Sequence, residues 1–449
     1  MDKKLTEGRP LSVILKFMLP LMVGNIFQQL YNLVDTVIVG KYVGPQALAA
    51  VGSTGTIMFF IIGTCAGMVT GFSIITSQKY GSEDHDGVKR SFTNGLILSV
   101  ILIIISTAVT VLLIRQILKL MNTPEDIFEM AYDYISVICW GIFATVLYNF
   151  FSALLRAIGN STVPLISLVM SAALNVGLDL LLIARFNMGT AGAAYATIIS
   201  QVVSAIFCII YILCRVEVLT PGRQHWKPNR YVMHSELMQG IPMALQTGIT
   251  ASGTMIMQSA FNLFGSVAVA GVTAASKIQG ITTQAMFTIG QTMSSYVGQN
   301  FGKEDYKRIR DGVKASLKIF IVYSIGAGVV TYLALPAILP VFFDQGTDIG
   351  LYLPWARTYI LECTTCYFFL SMIFIYRSSI QAMGHGFLAT VMGVSELTAR
   401  VCASFTSMYF RSFYIAVAAD PFAWVVAALI GCIMFYRLLP RYEKKQGNS

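Results

Sequence analysis

Twelve apolar runs, each long enough to cross a bilayer, follow one another between residues 13 and 437 and leave no space for a water-soluble domain. They lie near 13–39, 47–75, 91–114, 131–155, 162–184, 189–214, 239–262, 267–297, 312–343, 354–376, 386–410 and 412–437. A spanning helix needs about 20 such residues. Hydrocarbon offers no partner to an open backbone, so at this run length each segment must be an α-helix that satisfies its own hydrogen bonds. The expected fold class is therefore an all-α polytopic membrane protein. Composition agrees, since 55% of the 449 residues are hydrophobic and only 12% are charged, against about a quarter charged in a soluble domain. The opening MDKKLTEGRPLSVILKFMLPLMV has basic residues ahead of an apolar run, as a secretory leader does, but no small-residue cleavage site. It reads as the first transmembrane helix.

Lys and Arg orient the spans, because cytoplasmic connections retain them. With the N-terminus inside, one set of connections holds 21, from Lys3, Lys4 and Arg9 through Lys79, Arg223 and Lys303 to Lys444 and Lys445. The opposite set holds six: Lys41, Arg115, Lys119, Arg185, Arg357 and Arg411. Both termini are expected in the cytoplasm, with the chain in the cell's inner (cytoplasmic) membrane. Topology and anionic lipid then account for the net charge of +9 without nucleic acid as a partner. The eight cysteines fall almost entirely in apolar spans, where they pack as small polarisable groups; Cys363-x-x-Cys366 has no histidine near it. The histidines, 85, 225, 234 and 385, lie in loops without metal-ligand spacing, and no phosphate-binding P-loop is present. No cofactor and no enzymatic chemistry are expected.

The chain repeats itself. SQKYGSEDHDGVKRS at 77–91 and GQNFGKEDYKRIRDG at 298–312 share Gln, aromatic, Gly, Glu and Asp at an offset of 221, so that Gln78, Tyr80, Gly81, Glu83 and Asp84 match Gln299, Phe301, Gly302, Glu304 and Asp305. The same offset aligns GPQALAAVG with GSVAVAGVT, and an offset of 225 aligns LLRAIGNST with SIQAMGHGF. Six spans are thus repeated in order. Because six is even, both copies enter the membrane the same way, and a pseudo-two-fold axis along the membrane normal is expected. The division is a six-helix lobe at 1–214, a cytoplasmic connector at 215–238, a second six-helix lobe at 239–437 and a tail at 438–449.

These motifs together resemble the multidrug and toxic compound extrusion (MATE) family of the multidrug/oligosaccharide-lipid/polysaccharide exporter superfamily. The resemblance covers essentially the whole chain. It rests on PLMVGNIFQQLYNLVDTVIVG in the first span, G-x-x-A-L-A-A-V-G at the entry to the second, the paired Y/F-G-x-E-D loops, LLRAIGNSTVP before the fifth and LNVGLDLLLI within it. It implies twelve helices in two lobes, and export of organic compounds against inward flow of H+ or Na+.

In the first span Asn25, Gln28, Asn32 and Asp35 are spaced 3, 4 and 3 residues apart and share one helix face. In the fifth, Asn175 and Asp179 share a face at i,i+4. Both aspartates fall toward the outer half of the first lobe, close enough in depth to meet. An ionisable side chain there costs roughly 2.5–3.5 kcal/mol on insertion scales, so it needs a function. Paired carboxyl groups in low dielectric suit uptake of a proton, while their oxygens with the Asn32 and Asn175 carbonyls suit Na+, giving Asp35, Asn175 and Asp179 as candidate ligands. The structural alternative is interhelical glue. The repeat is an internal control: Asp35 aligns with Met257 or Ile256 and Asp179 with Ser404, so the second copy folds without the acids. Asp35, Asn32, Asn175 and Asp179 are therefore the expected ion-coupling set, as the resemblance also implies for the first-span aspartate.

The second lobe has Lys277, Glu362, Glu396 and Arg400, of which Glu396 and Arg400 at i,i+4 read as a structural pair. Gln28, Asn25, Asn149, Tyr148, Gln258, Gln284 and Glu362 are expected to line a substrate cavity for organic cations or drugs. Twenty-one Met and aromatic residues such as Phe59, Phe60, Phe150, Phe151, Phe261 and Phe287 suit adaptable contacts, although any one of them is equally ordinary membrane packing. Some relatives have Asn where this chain has Ser152; Asn149 lies one turn earlier. Some also use an acid in the seventh span, where this chain has only Gln246 and Gln258. Pro20 removes a backbone hydrogen bond and is the expected hinge, with Pro242 at the equivalent place in the second copy. The chain is expected to work as a monomer. A lipid-linked oligosaccharide flippase of the same superfamily is the alternative, and would call for several basic cavity residues to hold pyrophosphate.

Overall fold

A computed structural model describes residues 4–121, 123–343 and 347–447; Lys3 and the last two residues of the 438–449 tail lie outside them. Every regular element among them is helical: α1 (Pro10–Tyr42), α2 (Pro45–Gly81), α3 (His85–Leu120), α4 (Glu125–Trp140), α5 (Ile142–Ala157), α6 (Thr162–Asp179), α7 (Gly189–Arg215), α8 (Arg230–Asn262), α9 (Gly265–Gly302), α10 (Tyr306–Ile338), α11 (Leu353–Thr365), α12 (Tyr367–Ala382), α13 (Gly386–Phe410), α14 (Phe413–Val417) and α15 (Ala419–Gly447). Each of the twelve expected spans falls on one of these rods or on a consecutive pair. Eight are long and apolar enough to cross a membrane, and two pairs bent at a break, α4 with α5 and α11 with α12, bring the number to ten. α8 and α9, of 33 and 38 residues, are as long but more polar.

The breaks were not legible as such in the runs 131–155 and 354–376. α4 and α5 meet at 47° around Gly141, α11 and α12 at 49° around Cys366. Those positions are 225 residues apart, the offset of the sequence repeat. A side chain at Gly141 would collide with Ile198 of α7, so the first break needs glycine. The repeat recurs in backbone detail. Gly44 and Gly265 are left-handed at φ 115° and 86°, Gly159 and Gly384 at 91° and 90°. Glu83 and Glu304 occupy the same region at 59° and 61°, uncommon for residues with a Cβ. Each precedes an aspartate that caps the next helix: Asp84 Oδ1 accepts from Gly87 N–H at 2.8 Å, Asp305 Oδ1 from Arg308 N–H at 2.9 Å. Burial works against the Asp84 charge, but Lys79 Nζ at 2.9 Å and the Gly87 N–H hold its carboxyl below the usual range.

The chain forms two compact units, one over Leu19–Thr247, the other over Leu5–Met18 and Gly248–Ser449. The division falls inside α1, directly before Pro20, and inside α8, five residues after Pro242. Hydrogen bonds within each unit explain this. In the second unit, Leu5 N–H donates to Gln299 Oε1 at 2.9 Å, and Arg308 donates to the carbonyls of Gly8 and Glu7 at 2.6 and 2.8 Å. In the first, Asn229 N–H donates to Asn94 Oδ1 at 2.8 Å, and α8 lies directly on α2. There Gly63, Gly67 and Gly71, one per helical turn, face Thr247, Met243 and Gly240. An apolar core of Phe72, Phe92, Phe150, Phe151 and Leu154 fills the space beside this seam.

A Cβ at Gly71 would sit 2.5 Å from the Gly240 Cα, backbone that cannot step aside. Gly71→Ala is expected to cost about 1–3 kcal/mol, read as a lower Tm in detergent. Gly55→Ala, where nothing lies within 4 Å of the added atom, should stay within about 0.5 kcal/mol of the parent.

Candidate functional site

α1 and α6 bring the two expected acids together in the first unit. Asp179 is fully buried, Asn175 one turn before it is 1% exposed, and Asp35 is half-buried. The Asp35 and Asp179 carboxyl groups are close enough to act on each other directly. Four buried oxygens, Asp35 Oδ1, Asn175 Oδ1 and both of Asp179, have no donor. Asn175 instead donates through Nδ2 to Thr197 Oγ1 at 3.5 Å, which aims its carbonyl end away from α7. Two adjacent carboxylates repel, and an unfilled buried acceptor is costly. The arrangement suits a proton or a small hard cation held between them. Among the described residues no group of three His, Cys, Asp or Glu side chains assembles, so a multi-ligand transition-metal site is not built here.

Three features of this site had no signal in the sequence. Tyr134 of α4, 4% exposed, lies within electrostatic reach of both aspartates and of Tyr31. Tyr31 in turn engages Gln28. Directly after Asp179 the helix widens to a π-helix over Leu180–Arg185, with Phe186 N–H donating to Leu181 O at 3.1 Å. Such turns cluster at functional sites; the residues LLLIAR give no hint of one. Ile38, Val39, Tyr134, Ile138, Ile183 and Ala193 then close the site with an apolar cluster.

The remaining expected residues divide. Gln28 and Asn32 are exposed on α1, and Asn25 is half-buried. Tyr148 and Asn149 are half-buried on α5, where Asn149 Nδ2 donates back to Thr145 O at 2.8 Å. Gln258 is exposed and donates to Asn262 at 3.0 Å; Gln284 and Glu362 are half-buried, and Lys277 is exposed. Phe59, Phe60 and Phe287 are exposed by 55, 50 and 45%, whereas Phe150, Phe151 and Phe261 are buried. Burial of Phe150 and Phe151 against Phe92, at ring distances of 6.2 and 6.4 Å, explains the difference. Cys363 and Cys366 are free thiols.

In the second unit the Glu396–Arg400 pair is present at 2.7 Å and is part of a longer chain of charges. Arg377 donates to the other Glu396 oxygen at 2.7 Å, and Arg400 Nε to Asp420 at 2.7 Å. Two cations and two anions neutralise one another with every head group at most 14% exposed. α8 is tied in as well, because a side chain on Gly253 would strike Arg400 at 2.9 Å.

The MatE family model matches this chain twice, over residues 20–181 and 242–406. The chain belongs to the MatE family. Its two matches start at Pro20 and Pro242, and their offset, 222 at the start and 225 at the end, is close to that of the internal repeat. Among curated relatives, the probable multidrug resistance protein YpnP of Bacillus subtilis is 31% identical over 68% of each chain. The multidrug export protein MepA of Staphylococcus saprophyticus is 22% identical over 85% of this chain and 84% of its own. A solved outward-facing multidrug resistance MATE transporter superposes with a TM-score of 0.91, at 22% identity over 99% of both chains. The MatE chain is thus a multi-pass membrane protein of transporter fold. Within it, Glu396→Gln should cost about 3–5 kcal/mol by removing the carboxylate charge that lies between the buried guanidinium groups of Arg377 and Arg400. Arg115→Ala, which breaks the exposed Arg115–Glu129 pair, should change Tm little, at under about 1 kcal/mol. Thermal unfolding in detergent measures both.

Proposed function

We propose that this chain is a secondary active multidrug efflux antiporter, exporting organic, mainly cationic, amphipathic compounds in exchange for H+ or Na+ by alternating access. The observation that carries the reading is the set of four donorless oxygens on Asp35, Asn175 and Asp179. A mobile cation satisfies them, and because that cation can come and go, its occupancy can bias conformation. Proton uptake lets one carboxyl donate to the other; Na+ would sit among the same oxygens. Tyr134 adds a hydroxyl beside both acids. The positive-inside count orients the chain with both termini in the cytoplasm, so that inward ion flow runs opposite to drug.

Pro20 removes the hydrogen bond that its N–H would have made to the Lys16 carbonyl, at the place in α1 where one compact unit gives way to the other. Bending there when Asp35 is neutralised is the proposed link from ion to cavity. Glu362, half-buried and without a hydrogen bond or ion pair to its carboxylate among the described residues, is the acid proposed to attract a cationic substrate. A flippase for lipid-linked sugars would want free guanidinium groups for pyrophosphate. Arg377 and Arg400 are both held by acids, which favours drug export, and the MepA and YpnP names point the same way.

Efflux of a cationic dye from vesicles under an imposed pH gradient, then a sodium gradient, tests the reading and selects the ion. Wild type should respond to one gradient, and Asp35→Asn should fall to the level of empty vesicles. Dye movement that ignores both gradients, or that survives in Asp35→Asn, would leave the aspartate structural. Pro20→Ala should reduce gradient-driven efflux while still binding dye; transport at the wild-type rate would remove the hinge.

A further inference from the structure

Glu236, in the second turn of α8, is fully buried in the first unit. Its Oε1 accepts a 2.8 Å hydrogen bond from Ser91 of α3, whose hydroxyl also pairs with Thr76 of α2 at 2.8 Å. Since Ser91 has one proton and gives it to Glu236, Thr76 is the donor to Ser91. Oε2 has no partner. Gly95 of α3 lies beside this carboxyl, where an added Cβ would be 3.5 Å from Glu236 Oε1 and 2.9 Å from the Phe150 ring, and Met233 and Leu237 of α8 pack against the apolar core of Val88, Phe92 and Phe150.

The elements packed here carry titratable groups, namely Lys79 on α2, Arg90 on α3, Arg156 on α5, His225 in the connector and His234 on α8. None acts on this carboxyl, for which Ser91 is the only side-chain influence besides burial. Arg156 is turned to Ser152 at 2.6 Å, Lys79 to Asp84, and His225 to Asp86 at 3.1 Å. An ionised carboxylate with one hydroxyl donor and no cation is far costlier here than a neutral acid with one idle O–H.

We propose that Glu236 is a second proton-binding site, separate from the Asp35 and Asp179 pair, carrying a proton in this conformation and exchanging it with water at the connector end of the first unit. The chemistry is balanced by solvent alone: the carboxylate takes H+ from water when the site is open and returns it on the next opening. The route is the α2–α8 seam. Gly71 against Gly240 and Gly67 against Met243 bring two backbones into contact, with the Phe72 ring beside Gly240, and a small separation of α8 from α2 there is the proposed entry of water to Oε2. Along α8 and α1, at 1.5 Å per residue, Glu236 lies near the start of its helix and Asp35 near the far end of its own. The two sites therefore load protons from different depths.

Infrared absorption of the full chain in lipid nanodiscs at neutral pH, wild type minus Glu236→Gln, tests this. The expected difference is the loss of one carboxylic-acid carbonyl band, which in wild type shifts in D2O slowly, at the rate of seam opening. Ser91→Ala retains Glu236 and removes the donor to Oε1, so it should move that band to higher frequency; it carries the test if Glu236→Gln fails to fold. Loss of carboxylate bands in place of an acid band overturns the proposal. So does deuteration within the mixing time, or a band that Ser91→Ala leaves in place. The band belongs to Glu236 alone, so its absence would leave the Asp35 reading standing, and a failure of Asp35→Asn to stop efflux would leave the band unchanged.

Discussion

Charge in a low-dielectric interior must be neutralised on the spot, and the two units of this chain do so in opposite ways. The second closes its account internally: Arg377, Glu396, Arg400 and Asp420 form a continuous ionic chain in which each head group has a partner at 2.7 Å. The first unit buries Asp179 and Glu236 and half-buries Asp35 without an ion-pair partner for any of them among the described residues. Its half-buried Arg156 donates to Ser152 and lies beside Tyr148 and Cys208. Isolated burial of an ion costs several kcal/mol even after relaxation. No protein cation offsets that cost at these carboxyl groups among the described residues, and the proposed exchange of a cation rests on that difference between the units.

The same contrast separates scaffold from function. Both units use left-handed glycine at the entry to their second helix, a left-handed glutamate before an aspartate cap, and a break of nearly 50° in the fourth span. These repeat at fixed offsets because they fix the backbone path. The charges inside the spans do not repeat. Sequence comparison of the two copies could therefore sort residues by purpose without any other chain to consult.

Much of this was legible in the residues. The apolar runs, the paired loops and the 3, 4, 3 spacing of the first-span polar residues gave the helices, the repeat and the two acids. What escaped had its cause in space rather than in local pattern. Glu236 sits in the polar stretch HSELM, which reads as the end of a connector; that its α8 turn is buried depends on Ser91, 145 residues away. Tyr134 looks like one more aromatic in an apolar span until α1 and α6 are placed beside it. Arg377 counts as a loop cation by the positive-inside rule, yet α12 carries it inward to Glu396. Phe150, Phe151 and Phe261 are buried as ordinary packing, and nothing in an aromatic residue's own neighbourhood says whether it meets core or cavity.

The counterpart of Asp179 argues that the acid changed its helix and not the fold. Ser404 in α13 is as fully buried as Asp179, and its hydroxyl likewise has no partner. The second copy has kept a small polar group where the first has a carboxyl. Yet α13 runs unbroken through Ser404 to Phe410, whereas α6 gives way to a π-helix immediately after Asp179. A π-turn weakens its helix and persists only where something is gained. Here it accompanies the charge: the lobe that has the carboxyl is the one whose helix widens directly behind it, beside Asp35.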